Sequence, residues 1–547
     1  MLLNLKKTLA MLTAMVVIVA ACFPVTACAA SDMYSIQYRG AKTSLSGYCE
    51  NGSVYLPIDV INKYGSNNSV AVDTSSKRLV IDLSSQNIIM GDDTVTSFVK
   101  ANAGTVYVPL TEVDGSLYFP INVMEQFFKL SYSVSGKTIN LFSYSGSDKI
   151  ASLSANAKAV ASLSKSADED ASFTLEKDTR VFIKGQTDHY YRIEDVDGRT
   201  GYVMKSAVKV EDLDLSKVDF YAPKQTKFVQ KSNEKINGVW QYVNTVTPAA
   251  PAATDGIDII MPTWFRLQVE GGGAVSNYAD KGYTATAHDN GFLVWATITN
   301  DMSTKGSTNF TTKMFSTSSI ENKAIAQYLF YACLYGVDGI NIDFEDVKDA
   351  DRDGLTSFTA KMRTYTERQG LNLSIDVAVP SSWSTEYDNA ALAKHTDYIA
   401  VMSYDEYYAG STTAGSVSSM PFVENAIEGC LEDGVPASKL LMGVPLYTRI
   451  WVMDSAGNKV SNASATMPQI QKLLTDKGLT PTYLTKEGQN YVEYTVPEGT
   501  TKIWIEDSAS IPNRLNYVNS YNLAGSACWQ YNQGSSDIWS VFDRYLH

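Results

Sequence analysis

From residue 215 to residue 547 the chain alternates strand-like with helix-like stretches, and few folds accept that alternation sustained for so long. Short apolar runs bounded by turn residues read as strands buried on both faces, and the longer periodic runs between them read as helices that bring the chain back to the same end of the sheet. The strand candidates are 238–242, 257–261, 292–296, 338–345, 373–378, 398–402, 440–444 and 525–529. Eight such units in roughly 330 residues predict a (β/α)8 TIM barrel over 215–547. The helix ahead of the fourth strand is marked by Ser318 and Glu321, spaced as a capping box, and by Ala324, Tyr328 and Tyr331 at helical spacing. Between the seventh and eighth strands, about 450–522, the stretches 491–494 and 502–505 predict a small α+β insertion that forms one wall of a cleft.

The fourth strand candidate carries the chemistry. In Asp338-Gly339-Ile340-Asn341-Ile342-Asp343-Phe344-Glu345 polar and apolar residues alternate, so Asn341, Asp343 and Glu345 share one face while Ile340, Ile342 and Phe344 share the other. The apolar face packs under helices. The polar face has to look into a cavity, because carboxylates are rarely buried without partners or a task. Two carboxylates one pleat apart repel when both are ionised, which raises the proton affinity of at least one and keeps an acid protonated near neutrality.

This stretch resembles the DxxDxDxE motif of family 18 glycoside hydrolases, the chitinase-like barrels, and its wording is most similar to spore germination hydrolases of Gram-positive bacteria that act on cortex peptidoglycan. The resemblance implies that Glu345 is the general acid at the leaving glycosidic oxygen and that Asp343 orients the substrate's 2-acetamido group. The acetamide oxygen then attacks the anomeric carbon to give an oxazolinium intermediate, and water attack with Glu345 as base retains configuration. Met402-Ser403-Tyr404-Asp405 resembles the family's MxYD motif, in which the Tyr404 hydroxyl holds the acetamide carbonyl and Asp405 shapes the pocket. Trp529 matches the aromatic floor under the sugar whose bond is cut. Trp264 after strand two, and Tyr447 with Arg449 after strand seven, stand where related hydrolases place cleft residues. Many members carry a second Asp where this chain has Asn341, which is expected among the substrate-binding residues; an amide there can donate a hydrogen bond to Asp343 but cannot share a proton with it. Asp338 reads as structural, and Trp383 as either loop packing or a glycan contact.

What the resemblance implies as substrate is an N-acetylglucosamine-containing polysaccharide, with peptidoglycan ahead of chitin because the preceding domains look wall-directed. Family 18 barrels also include lectins that have lost the acid, whereas Glu345, Asp343 and Tyr404 are all present here. Residues 31–146 are β-rich and repeat at an interval of roughly sixty residues: 54–60 is answered by 117–123, each leading through a helix-like segment to a strand pair. This region resembles the copper amine oxidase N-terminal-like domain of bacterial surface proteins, without metal ligands and with a wall-facing or spacer role. Residues 149–211 resemble a bacterial SH3 domain, in which Tyr190, Tyr191 and Tyr202 either bind wall peptides and glycans or fill a small barrel.

Residues 1–30 carry Lys6 and Lys7, a short apolar run and small residues, the pattern of a secretory signal. Two processing outcomes fit: cleavage at Ala27-Cys28-Ala29, or a lipobox at Val25-Thr26-Ala27-Cys28 that leaves a lipidated Cys28 as a membrane anchor. The protein is therefore expected outside the cytoplasm, secreted or at the cell surface. A net charge of -14 argues against a nucleic-acid partner. Beyond Cys22 and Cys28, the cysteines Cys49, Cys333, Cys430 and Cys528 are scattered, as are 4 histidines, so no metal site, cofactor or dense disulfide framework is expected. The 33 tyrosines and 8 tryptophans suit sugar stacking, although most must fill cores.

Overall fold

The computed structural model describes residues 33–547 apart from 66, 68, 164–170, 212–214, 220–226, 232–233, 269–270 and 303–309. The expected signal segment, with Cys22 and Cys28, lies outside the described residues. The chain divides into two compact units, Met1–Gln225 and Thr226–His547.

The N-terminal unit contains two strand–helix pairs. Ser53–Pro57 leads into the helix Asp59–Tyr64, and Ser116–Pro120 leads into the helix Ile121–Phe128. The two strands pair antiparallel, with Leu56 opposite Phe119. A second seven-stranded sheet includes Arg180–Gln186, Tyr190–Asp195 and Thr200–Met204, and encloses Ala151, Leu153, Val181, Ile193 and Val203. Tyr190, Tyr191 and Tyr202 are half-buried on it, and the Lys205 ammonium lies over the Tyr191 ring.

The C-terminal unit is a closed parallel barrel. Its strands are β1 (Ile236–Gln241), β2 (Ile259–Pro262), β3 (Leu293–Thr299), β4 (Gly339–Asp343), β5 (Asn372–Val377), β6 (Tyr398–Val401), β7 (Leu440–Pro445) and β8 (Gly525–Trp529). Each pairs in parallel with the next, and β8 pairs with β1, which closes the ring. Ile236, Trp240, Ile259, Trp295, Tyr398, Leu441 and Ala527 form one buried cluster, so the barrel is packed rather than hollow. Gly339 is required by that packing. A Cβ on it would lie 2.6 Å from the Trp295 ring, closer than any side chain tolerates.

Asp338 anchors the entry of β4, accepting hydrogen bonds from the Val294 amide at 2.8 Å and sharing one with His288 Nε2 at 2.7 Å. The helix before β4 spans Ser318–Tyr335, but the expected capping box does not form. Thr317 is the cap residue and makes no side-chain cap bond, while Glu321 turns to the Lys361 ammonium at 2.5 Å. An ion pair with the next helix wins over a local cap. Of the four cysteines, Cys49, Cys430 and Cys528 are buried thiols and Cys333 is half-buried.

After β7 the chain enters an antiparallel sheet of Tyr447–Met453, Lys459–Thr466, Thr482–Leu484, Gln489–Val496 and Gly499–Ile505. The helix Met467–Lys477 covers it, burying Ala465, Ile470, Leu474, Val492 and Ile503. Glu506, where this sheet ends, meets Arg514 of the returning helix Ile511–Ser520, and both side chains are fully buried.

Candidate active site

The C-terminal ends of the barrel strands converge on a cavity of about 270 Å³. Its lining takes Trp240 from β1, Asp343 from β4, Asp376 from β5, Tyr404 beyond β6 and Trp529 from β8; Glu345, Met402, Asp405, Tyr447, Arg449, Ser464 and Gln533 complete it. The wall that holds Tyr447, Arg449 and Ser464 is the inserted sheet.

Inside β4 the alternation runs as the pleat demands. Ile342 and Phe344 are fully buried, and Phe344 packs on Phe358 with ring centroids 5.0 Å apart. The strand ends at Asp343, so Glu345 lies just past the ladder and needs another support. Asn300 supplies it: its side-chain oxygen accepts from the Glu345 amide at 3.0 Å, and its Nδ2 donates to the Glu345 carbonyl at 2.7 Å. Tyr387 fixes the preceding peptide by donating to the Phe344 carbonyl at 2.9 Å. Asp346 then turns the chain in the left-handed region, φ 50°.

Asn341 lies beneath the cavity, fully buried. Its oxygen accepts from Trp240 Nε1 at 3.0 Å and from Thr297 Oγ1 at 3.0 Å. Its Nδ2 donates to Ser374 Oγ at 3.0 Å and to Asp376 Oδ1 at 2.8 Å. These four bonds use every donor and acceptor an amide has. Asn341 therefore neither binds substrate nor donates to Asp343, which corrects both expectations; it orients the groups around it.

Burial and mutual charge raise the proton affinity of the acids. Burial lifts the Asp343 carboxyl well above the usual range, and the charge of Glu345 adds to the effect. Glu345 is raised by burial first and then by Asp346 and Asp405. Asp376 is raised by burial and by Asp343, against a lowering hydrogen bond from Asn341. Burial, helped by Asp376 and Asp343, also raises the Tyr404 phenol, which stays a neutral donor. Asp405 accepts from the Tyr447 hydroxyl at 2.5 Å and stands 3.7 Å from Arg449 Nη2. Trp529 is half-buried against Trp240, with ring centroids 6.2 Å apart, and turns its remaining face to the cavity.

Since an acid must be protonated to donate, the alkaline limb of any rate profile governed by Glu345 follows its raised pKa. Asp346→Asn removes one of the charges that raise it, so that limb is expected to move to lower pH with little change in maximal rate. Asn accepts the left-handed backbone at this position. A limb that stays put, or moves to higher pH, contradicts the assignment.

Trp264 is corrected. It is fully buried, donates Nε1–H to Thr247 Oγ1 at 3.0 Å, and packs edge-on against Tyr283 with centroids 5.2 Å apart, away from the cavity. Trp264→Phe is expected to cost about 1–2 kcal/mol in urea unfolding and to leave KM unchanged. Trp383 is 77% exposed, which rules out loop packing as the reason for its size. Asp376, Trp240, Ser464 and Gln533 of the lining, and Asn300 behind Glu345, are site residues that the sequence reading missed. Only Asp376 carried a signal, as a single acid inside the apolar run 373–378.

A closed parallel barrel whose rim gathers buried carboxyls, a neutral phenol and an aromatic floor can deliver a proton to a bound group while an aromatic face supports it. Residues 285–534 match the family model for glycosyl hydrolases family 18. The chain is 28% identical over 245 residues to YdhD of Bacillus subtilis (strain 168), a protein named as a sporulation-specific glycosylase, covering 44% of this chain and 57% of that relative. It is 28% identical over 276 residues to the cortical fragment-lytic enzyme of the same organism, covering 45% of this chain and 63% of the relative. The chain thus spans about three fifths of the length of these curated relatives. In the crystal structure of the Bacillus cereus spore cortex-lytic enzyme SleL the same fold recurs, with a TM-score of 0.52 at 18% identity over 58% of this chain and 76% of that one.

Proposed function

We propose that the protein is a retaining glycoside hydrolase that cleaves β-linked N-acetylglucosamine glycans with the substrate's own acetamide as nucleophile. The observation that carries this reading is the convergence of Glu345, Asp343, Tyr404 and Trp529 on one cavity. Glu345 donates its proton to the bridging oxygen as the bond breaks. Asp343 aligns the acetamide through its N–H, and the Tyr404 hydroxyl donates to the acetamide oxygen where charge develops. Trp529 carries the ring face of the sugar. Water then opens the oxazolinium with Glu345 as base, which leaves the configuration at the anomeric carbon unchanged.

Peptidoglycan, and spore cortex in particular, is the substrate we assign. The names of the curated relatives support it, as does the resemblance of the two N-terminal β-rich regions to wall-directed domains. The same reading places the protein outside the cytoplasm, secreted or held at the surface through a lipidated Cys28, with the accessory regions engaging the wall. Mass spectrometry of fragments released from purified sacculi, spore cortex and chitin tests it. Release of muropeptides with a new N-acetylglucosamine reducing end is expected. Cleavage of chitin alone moves the substrate to chitooligosaccharides, and binding without turnover on all three makes the barrel a lectin.

A further inference from the structure

Asp376 has no task in the reaction just described, yet it is 1% exposed, lines the cavity, and sits on the strand next to the acids. The β4–β5 register pairs Asn341 with Ser374 and Ile342 with Ile375, so its next step sets Asp376 beside Asp343. Side chains at equal heights on adjacent strands stand about 4.8 Å apart, and these two both face inward. Asn341, one pleat below, fixes Asp376 by donating to its Oδ1 at 2.8 Å, and is itself held by Trp240, Thr297 and Ser374. Two carboxylates in such a place do not both ionise. A proton has to reside on the pair.

We propose that Asp376 is a positioning residue that shares one proton with Asp343, so that the acid many family members carry at the position of Asn341 is delivered here from the neighbouring strand. The inference rests on the reading of the site as a substrate-assisted glycosidase. In the empty site the proton lies between the two carboxyls. When Asp343 turns its carboxylate to the acetamide N–H, Asp376 keeps the proton and remains a neutral acid; when the acetamide leaves, the proton is shared again. No proton enters or leaves the pair during turnover. The groups that face Asp376 are Asn341 from below, Asp343 on the adjacent strand, and Glu345, Tyr404 and Tyr387 nearby.

The test uses the full chain and a chromogenic chitooligosaccharide, with the parent assayed first. Asp376→Asn is expected to lower kcat about a hundredfold with little change in KM and to alter the acid limb of the pH profile. The exchange Asn341→Asp with Asp376→Asn keeps the hydrogen bond between the two positions, donor and acceptor reversed, and restores a proton partner beside Asp343. It is expected to recover kcat to within about tenfold of the parent. A purely structural role for Asp376 would not give that recovery. An Asp376→Asn variant within twofold of the parent, or an exchange variant as slow as the single one, overturns the proposal while the hydrolase reading stands. A parent without turnover overturns both. Should Asp376→Asn fail to fold, Asn341→Asp alone reads the same contact: an added carboxylate raises the proton affinity of the pair, and the acid limb moves to higher pH. An unmoved limb overturns the proposal.

Discussion

Glu345→Gln is expected to lower kcat on a chromogenic chitooligosaccharide by about a thousandfold, with KM changed by less than a few-fold. The amide keeps the shape of the acid and its place above Asn300, whose two bonds go to the Glu345 main chain and not to the side chain. What it loses is the proton. Loss confined to kcat marks a group that acts in the transition state and not in ground-state binding. The same variant should still bind glycan, because Trp529 and Tyr404 are untouched. Undiminished product release would remove Glu345 from the acid role altogether.

The second large effect is on stability. Arg514 and Glu506 are both fully buried and bond twice, at 2.7 and 2.9 Å. Gln489 Nε2 adds a bond to Glu506 at 2.7 Å, and Arg514 Nε reaches the Ser418 carbonyl at 3.1 Å. The pair therefore ties the inserted sheet and the returning helix to the loop after β6. Removing one partner strands the other as an uncompensated charge, so Arg514→Met is expected to destabilise the C-terminal unit by about 3–5 kcal/mol. Arg514→Met with Glu506→Gln leaves no such charge and should recover a large part of that loss. The 8 tryptophans all lie between Trp240 and Trp539, so their fluorescence in urea titrations reads this unit and not the N-terminal one. A shift below about 1 kcal/mol for Arg514→Met would contradict the clamp.

The barrel was legible because parallel strands buried on both faces leave near-continuous apolar runs, and eight of them recur at barrel spacing. Within β4 the two-residue period alone put Asp343 inward and Ile342 outward. The roles that escaped depend on which atoms meet across strands. Asn341 looked like a partner for Asp343 because both share a face; its amide is spent on Ser374 and Asp376, and strand register is not written in local periodicity. Trp264 follows β2 closely enough to look like a rim residue. There the chain turns into the hairpin Phe265–Leu267 and Val275–Asn277, and the indole packs between Tyr283 and Tyr335, which belong to helices. Asn300 is a loop residue whose function exists only through the backbone of Glu345, so nothing in its neighbourhood marks it.

Substrate participation is tested most directly by offering two otherwise identical β-linked oligosaccharides, one fully N-acetylated and one with its amino groups bare, and following the first product formed by proton NMR. Hydrolysis of the acetylated oligomer alone, with the new reducing end appearing first as the β-anomer, is the predicted result. Equal hydrolysis of both oligomers, or first appearance of the α-anomer, would contradict it.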